Sequence, residues 1–132
     1  IAIDGLESLR ATRGFEFVSE AVGQVGELLR DCTRGCDHLG SLVDRRLVVV
    51  LPHTDRAGAE ALGRRLVEAA DGLQLDHEGQ RIPITISVGI STFSQANTMF
   101  FDALTDGAEV ALQKARRDGG ARVEYCEPGG EL

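Results

Sequence analysis

The sequence predicts an α/β fold of the α+β type, in which helices pack on a central and mainly antiparallel sheet. Between Phe17 and Cys32, apolar residues recur at steps of three and four, which is typical of an amphipathic helix. Segments 38–52 and 73–91 are rich in strand-forming residues and each has a turn near its middle, which predicts two hairpins. Helices and hairpins that alternate in this order favour a ferredoxin-like palm with its helices on one face of the sheet.

The first hairpin lies between two predicted helices. The helix with the apolar stripe ends before Arg34, and Pro52 ends the second strand of the hairpin because proline cannot donate to a strand ladder. Thr54 or Asp55 is placed to cap the next helix, and Gly72 is placed to end it.

The second half of the chain completes a single domain. Its hairpin turns at Glu78 and Gly79, and residues 100–118 and 121–125 predict a last helix and a last strand. At 132 residues the chain can bury one core but not two. We therefore expect one domain.

The boundaries of this domain follow from composition. Residues 1–126 carry the predicted elements, and residues 127–132, which include a Pro-Gly-Gly run, are expected to form a flexible tail.

Composition excludes several classes of function. The net charge is −7, and the 14 basic residues are all arginine except Lys114, so a basic face for nucleic acid is not expected. No apolar run is long enough to span a membrane, and no direct membrane contact is expected. Cys32, Cys36 and Cys126 lack the spacing of a zinc site or a disulfide framework, which favours the reducing cytoplasm.

The stretch "DHLGSLVDRRLVVVLPHTD" resembles the central part of GGDEF domains, the diguanylate cyclases of bacterial cyclic-di-GMP signalling. "ITISVGIS" and "GAEVALQKARRDGGARV" are similar to two later motifs of the family, and "RGFEFVSEAVGQVGELLRDCTRGCD" aligns with an earlier one without a gap. The resemblance covers nearly the whole chain, although the N-terminal D-x-L-T-G-L-x-N-R segment of the family is missing. It implies a nucleotidyl-cyclase-like fold.

The five signature residues of the family are replaced here. Their positions hold Val43, Asp44, Arg45, Arg46 and Leu47. The resemblance implies that two glycines let the cyclase backbone approach the nucleotide and that acidic residues hold a divalent metal. Val43 brings a branched side chain to the close approach, and Arg45 brings a cation to the place of a metal-binding carboxylate.

Other positions that the resemblance assigns to the reaction are also changed. The metal-binding Asp falls on Ala2, two guanine-contacting residues fall on Arg10 and Ser19, and two basic residues fall on Arg116 and Gly120. Asp4 and Asp44 are nearby in the sequence but do not occupy the metal positions. We therefore expect no metal, no cofactor and no diguanylate cyclase activity.

One ligand site of the family has its residues in place. Many cyclases of this family carry an inhibitory site for their product, with the motif R-x-x-D ahead of the signature, and here Arg34 and Asp37 occupy it. A third residue of that site, an arginine on the following helix, falls on Arg65. An arginine fork can bind guanine O6 and N7 or a phosphate, and Asp37 could accept from guanine N1 and N2.

Structural roles are the alternative for these residues. Arg34 and Asp37 could form an ordinary surface ion pair, and Arg65 could be a solvated charge. Arg45 and Arg46 could be solvated, could contact Asp44 or Glu68, or could bind a partner protein; the sequence does not choose among these.

The sequence leads to one function and one main rival. The first is an inactive GGDEF-like domain that acts as a receptor for cyclic-di-GMP, bound as one molecule or as a stacked dimer, within a larger signalling protein. The rival is a scaffold that binds no nucleotide and serves as a homodimerisation or partner-docking module. Other domains of the parent protein are expected partners in either case.

Overall fold

The computed structural model describes residues 1–93 and 101–129. This part of the chain contains four helices and seven short strands, which confirms the α+β class. In chain order they are β1 (Ala2–Ile3), α1 (Leu6–Arg13), α2 (Phe15–Cys32), β2 (His38–Ser41), β3 (Leu47–Val50), α3 (Arg56–Asp71), β4 (Gln74–His77), β5 (Gln80–Pro83), β6 (Ile86–Ile90), α4 (Phe101–Arg117) and β7 (Val123–Tyr125).

The central sheet has three strands in the order β1, β6, β7. β1 is antiparallel to β6, with Ala2 opposite Ser87, and β7 is parallel to β6, with Val123 opposite Val88. The hairpins β2–β3 and β4–β5 are separate antiparallel pairs. The Leu47 N–H donates to the Ile1 carbonyl at 2.9 Å, which connects the first hairpin to the central sheet.

Helices cover both faces of β6, so the expectation of helices on one face is wrong. Successive side chains of a strand point to opposite faces. Ile90 faces α3, where a Cβ at Gly63 would lie 3.3 Å from Ile90 Cδ1. Gly89 faces α4, and a Cβ at this position would collide with the Ala108 carbonyl oxygen. The sheet is therefore a middle layer between α3 and α4.

The predicted apolar stripe forms one wall of the core. α2 buries Phe17, Val18, Ala21, Val25 and Leu29. All of them except Val18 pack with buried residues of α3 and β6 in one cluster. Truncating a fully buried leucine in such a core costs about 2–5 kcal/mol, so α2 and α3 are held firmly relative to each other.

Helix α1 was not predicted, because its eight residues are too few to show a repeating apolar pattern. It has no fully buried residue, and it is bounded by Gly5 and Gly14, whose φ values of 65° and 90° favour glycine. The predicted second hairpin is also shorter than expected. The turn at Glu78 and Gly79 is confirmed, but the chain leaves this hairpin after Pro83 and enters the central sheet as β6.

The end of the described chain packs against α4. Pro128 is buried, and the Gly129 N–H donates to the Ala103 carbonyl at 2.9 Å. The first part of the expected flexible tail is thus in contact with the domain, and residues 130–132 lie outside the described residues. Within the described ranges, no helix is both long enough and apolar enough to cross a bilayer.

Candidate functional site

Val43, Asp44, Arg45 and Arg46, four of the five signature positions, form the turn of the β2–β3 hairpin, and Leu47 begins β3. Leu42 N–H donates to the Arg46 carbonyl at 2.7 Å, and Arg45 N–H donates to the Leu42 carbonyl at 3.1 Å. Arg45 has a φ of 65°, in the left-handed region that costs a residue with a side chain roughly 1–2 kcal/mol. Val43 is fully exposed at the tip. The turn therefore keeps a backbone shape suited to glycine.

Arg45 joins this turn to α2. Its guanidinium lies 4.6 Å from the centre of the Phe15 ring, and its Nη1 donates to Ser19 Oγ at 3.2 Å. A cation over an aromatic ring at this distance is attractive by about 0.5–1 kcal/mol at an exposed site. Ser19 is the position that the resemblance assigns to a guanine-contacting aspartate, so Arg45 contacts a position that the resemblance places in the substrate site.

Arg46 joins the turn to α4. Its Nη1 pairs with Glu109 Oε2, and its Nε lies 2.7 Å from Asp44 Oδ2, in an ion pair without hydrogen-bond geometry. Contact with the Arg46 side chain holds the pKa of Asp44 below its ordinary value. The contact to Asp44 was among the sequence alternatives; the contact to Glu109 was not, because the two residues are 63 positions apart.

Asp4 has a structural environment. Its carboxylate accepts from Thr85 Oγ1 at 2.8 Å, from Ser87 Oγ at 2.6 Å and from the Ala121 N–H at 2.8 Å. A Cβ at Gly120 would lie 2.7 Å from this carboxylate, so a larger residue cannot be accommodated there without movement. Asp4 thus fastens β1 to β6 and to the loop before β7.

The positions around Asp4 do not fit a divalent metal. Ala2 offers no ligand, and the depression of about 530 Å³ beside Asp4 is lined by the basic side chains of Arg116 and Arg117. Within residues 1–93 and 101–129, no three His, Cys, Asp or Glu side chains are grouped so that they could hold a metal ion. Mg²⁺ is usually held through one or two carboxylates, and the Asp4 carboxylate at this depression already accepts three hydrogen bonds.

The R-x-x-D segment forms a closed loop after α2. Arg34 N–H donates to Asp37 Oδ2 at 2.7 Å, and Asp37 N–H donates back to the Arg34 carbonyl at 3.0 Å. The two hydrogen bonds close residues 34–37 into one turn. The loop places both side chains at the start of β2.

The Arg34 guanidinium points across to the loop between β3 and α3. Its Nη2 donates to Thr54 Oγ1 at 2.6 Å, to the Pro52 carbonyl at 3.2 Å and to Asp37 Oδ1 at 3.3 Å. Nε and Nη1 have no hydrogen-bond partner among the described residues. The side chain is 57% exposed, so these two nitrogens are available to a ligand.

Asp37 lies beneath Arg34. Its side chain is only 2% exposed, and Arg34 contacts it through both its backbone N–H and its guanidinium. The Arg34 backbone N–H, followed by the Arg34 side chain, holds the pKa of Asp37 below its ordinary value, and Asp37 in turn raises the pKa of Arg34. In this arrangement the carboxylate orients Arg34, and it can accept from a guanine only when the arginine moves.

Arg65 lies on the same surface. It is exposed on α3 and makes no ion pair or hydrogen bond with any described residue. A depression of about 470 Å³ brings together Arg34, Asp37 and Arg65, and its lining also includes His53 and Thr54. The three residues predicted from the sequence thus share one surface; His53 and Thr54 were not predicted as part of it.

Comparisons with known proteins agree with this fold. A family model described as the diguanylate cyclase GGDEF domain matches residues 1–122. Diguanylate cyclase A of Treponema denticola is 24% identical over 128 residues, which are 93% of this chain and 33% of that protein. The chain therefore spans about a third of the length of this relative.

Two solved structures have the same fold. The active GGEEF domain of a diguanylate cyclase from Vibrio cholerae superposes with a TM-score of 0.82 at 17% identity, covering 96% of this chain and 78% of that one. The GGDEF domain of DgcB from Caulobacter crescentus, solved in complex with c-di-GMP, has a TM-score of 0.84 at 14% identity, covering 97% and 74%. The nucleotidyl-cyclase-like fold is thereby confirmed, and the chain belongs to the GGDEF domain family.

Proposed function

We propose that this GGDEF domain is a receptor for cyclic-di-GMP that has lost diguanylate cyclase activity. The observation that carries the proposal is the single depression in which Arg34, Asp37 and Arg65 meet. The domain would act in the cytoplasm as one module of a longer signalling protein and would change the state of its other domains when the ligand binds.

The chemistry of the depression suits the ligand. Cyclic-di-GMP carries two phosphodiester charges and two guanines, and arginine donors can bind both groups. Arg34 offers Nε and Nη1, Arg65 offers its whole guanidinium, and Asp37 keeps Arg34 oriented. Each good bidentate contact contributes roughly 1–3 kcal/mol. Micromolar binding needs about 8 kcal/mol, which two arginines and a stacked second ligand molecule could supply.

Loss of the cyclase reaction is supported by the signature hairpin, that is, β2, β3 and the turn between them that holds the signature positions. Phosphoryl transfer in enzymes of this kind depends on positioned phosphates and on metal ions that neutralise charge. Here Arg45 contacts Ser19 on α2, a position that the resemblance assigns to the substrate site, and the surroundings of Asp4 do not fit a divalent metal. Both the nucleotide groove and the metal ligands of the reaction are therefore compromised.

Calorimetric titration tests the receptor function. Cyclic-di-GMP is titrated into the whole chain, into Arg34→Ala and into Asp37→Ala, with Arg30→Ala as an exposed control in the last turn of α2, just ahead of this loop. We expect micromolar or tighter binding by the wild-type chain and the control, and loss of binding in the other two. In parallel, GTP and Mg²⁺ should give no cyclic-di-GMP. No heat from the folded wild-type chain would refute the receptor function, and product formation would refute the loss of activity.

A scaffold function is the second candidate. It is favoured by the apolar side chains exposed on the β2–β3 hairpin, which are Leu39, Leu42, Val43 and Val50. An exposed apolar strand pair of this kind is a site for pairing with another chain. The scaffold is distinguished by sedimentation of the wild-type chain and of Val43→Asp: a dimer that the substitution dissociates, together with no binding of cyclic-di-GMP, would favour it.

A further inference from the structure

Thr54 holds the guanidinium of Arg34, although no motif in the sequence assigns it to the site. The Thr54 contact, at 2.6 Å, is the shortest of the three that Arg34 Nη2 makes. Asp37 belongs to the same loop as Arg34, whereas Thr54 and the Pro52 carbonyl belong to the loop between β3 and α3. These two groups therefore connect the arginine to the loop that leads into α3, the helix that carries Arg65.

The Thr54 side chain is itself fixed on two sides. Its hydroxyl donates to the Pro52 carbonyl at 3.2 Å, which leaves its lone pairs for Arg34. Its methyl group packs against the first turn of α3, where a Cβ at Gly58 would lie 3.0 Å from Thr54 Cγ2. A β-branched side chain also has few rotamers about χ1. The hydroxyl is thus held in one position.

The start of α3 does not need this hydroxyl. Asp55 is the N-cap, and its Oδ1 accepts from the Gly58 N–H at 2.8 Å. Among the described residues, the Thr54 hydroxyl contacts only Pro52 and Arg34. Its contacts therefore act on the arginine and not on the helix.

We propose that Thr54 is a positioning residue of the cyclic-di-GMP site, an inference that rests on the proposed function. Its hydroxyl engages Nη2 and leaves the three N–H donors of Nε and Nη1 for the ligand. A long arginine side chain that is already ordered loses less conformational freedom when it binds. The hydrogen bond between Arg34 and Thr54 thus raises the affinity for cyclic-di-GMP, although Thr54 itself does not contact the ligand.

The test compares substitutions of Thr54 in the whole chain. Thr54→Val removes the hydroxyl and keeps the shape, and Thr54→Ser keeps the hydroxyl. We expect the Kd for cyclic-di-GMP to rise about 5- to 20-fold in Thr54→Val and to stay within about twofold in Thr54→Ser. Thr12→Val is the control, because the Thr12 hydroxyl donates only to carbonyls within α1. Thr54→Ala replaces the valine variant if that variant does not fold.

A second readout needs no ligand. The ¹⁵N relaxation of Arg34 Nε in the free protein should show greater mobility in Thr54→Val and wild-type mobility in Thr54→Ser. Wild-type affinity in Thr54→Val together with an unchanged Arg34 signal overturns the inference and leaves the receptor function standing. Failure of Thr54→Ser to retain affinity, in a folded protein, also overturns it. A wild-type chain that does not bind cyclic-di-GMP overturns the receptor function and the inference together.

Discussion

Arginine side chains have different surroundings at the signature hairpin and at the R-x-x-D surface, which is the depression lined by Arg34, Asp37 and Arg65. At the hairpin, Arg45 lies over Phe15 and Arg46 pairs with Glu109. At the R-x-x-D surface, Arg34 keeps two nitrogens without partners among the described residues, and Arg65 has no such partner at all. Arg45 and Arg46 make their contacts with α2 and α4, whereas Arg34 and Arg65 line one depression.

The difference indicates which of the two regions is better suited to bind a ligand. Donors that are already paired must give up those contacts before they bind anything else, so the free energy of a new contact is offset by the loss of the old one. Donors that are ordered but unpaired have no such cost. Because Arg65 has no partner among the described residues and lines one depression with Arg34, we expect the R-x-x-D surface to be the better anion site, although both regions carry two arginines in a chain of net charge −7.

The largest effect is expected from reversing a charge at the R-x-x-D surface. Arg65→Glu replaces an unpaired cation with an anion in the depression that Asp37 also lines. It should weaken cyclic-di-GMP binding at least about 100-fold, because contacts are lost and the new anion repels the phosphodiesters. The measurement is the calorimetric Kd. Arg64→Glu is the matched control on the same helix and should change the Kd less than about threefold. Equal losses in the two variants would indicate a general charge effect and not a site.

An intermediate effect is expected from removing the ion pairs of Arg46 at the signature hairpin. Arg46→Ala leaves Asp44 and Glu109 without their cation, but both carboxylates are partly exposed, so the free energy of unfolding should fall by only about 1 kcal/mol. Urea unfolding at low and high salt measures it, and the difference from wild type should shrink in high salt. The affinity for cyclic-di-GMP should not change. An altered affinity would mean that the two regions are coupled.

The smallest effect is expected at Arg45. Arg45→Gly relieves the left-handed backbone, which stabilises the fold by about 1 kcal/mol, and removes the contact over Phe15, which costs about as much. The free energy of unfolding should therefore stay within about 0.5 kcal/mol of wild type. A loss above about 1.5 kcal/mol, measured by urea unfolding, would show that the contacts of Arg45 outweigh its backbone strain.

Local sequence signals predicted most of the fold. The stripe from Phe17 to Cys32 and the turn at Glu78 and Gly79 depend on residues close together in the chain, and both are confirmed. Helix α1 was missed because it buries no residue fully. The two-sided packing of β6 was missed because it depends on how closely α4 approaches Gly89, and no local pattern encodes that approach.

The candidate site could be predicted only in part. Arg34, Asp37 and Arg65 came from alignment with the motifs of the family, and the structure adds that they share one depression. The contact between Arg34 and Thr54 joins residues 20 positions apart, and threonine before a helix is ordinarily interpreted as a cap. The contacts of Arg45 with α2 and of Arg46 with α4 also join residues that are far apart in the sequence.

The most direct test of the contrast between the two regions is an NMR titration of the arginine side chains. Nε–Hε signals are followed while cyclic-di-GMP is added to the ¹⁵N-labelled chain. We expect the signals of Arg34 and Arg65 to shift and saturate together, and the signals of Arg45 and Arg46 to remain in place. Shifts confined to Arg45 and Arg46 would place the ligand at the signature hairpin, and no shifts at millimolar ligand would contradict the receptor function.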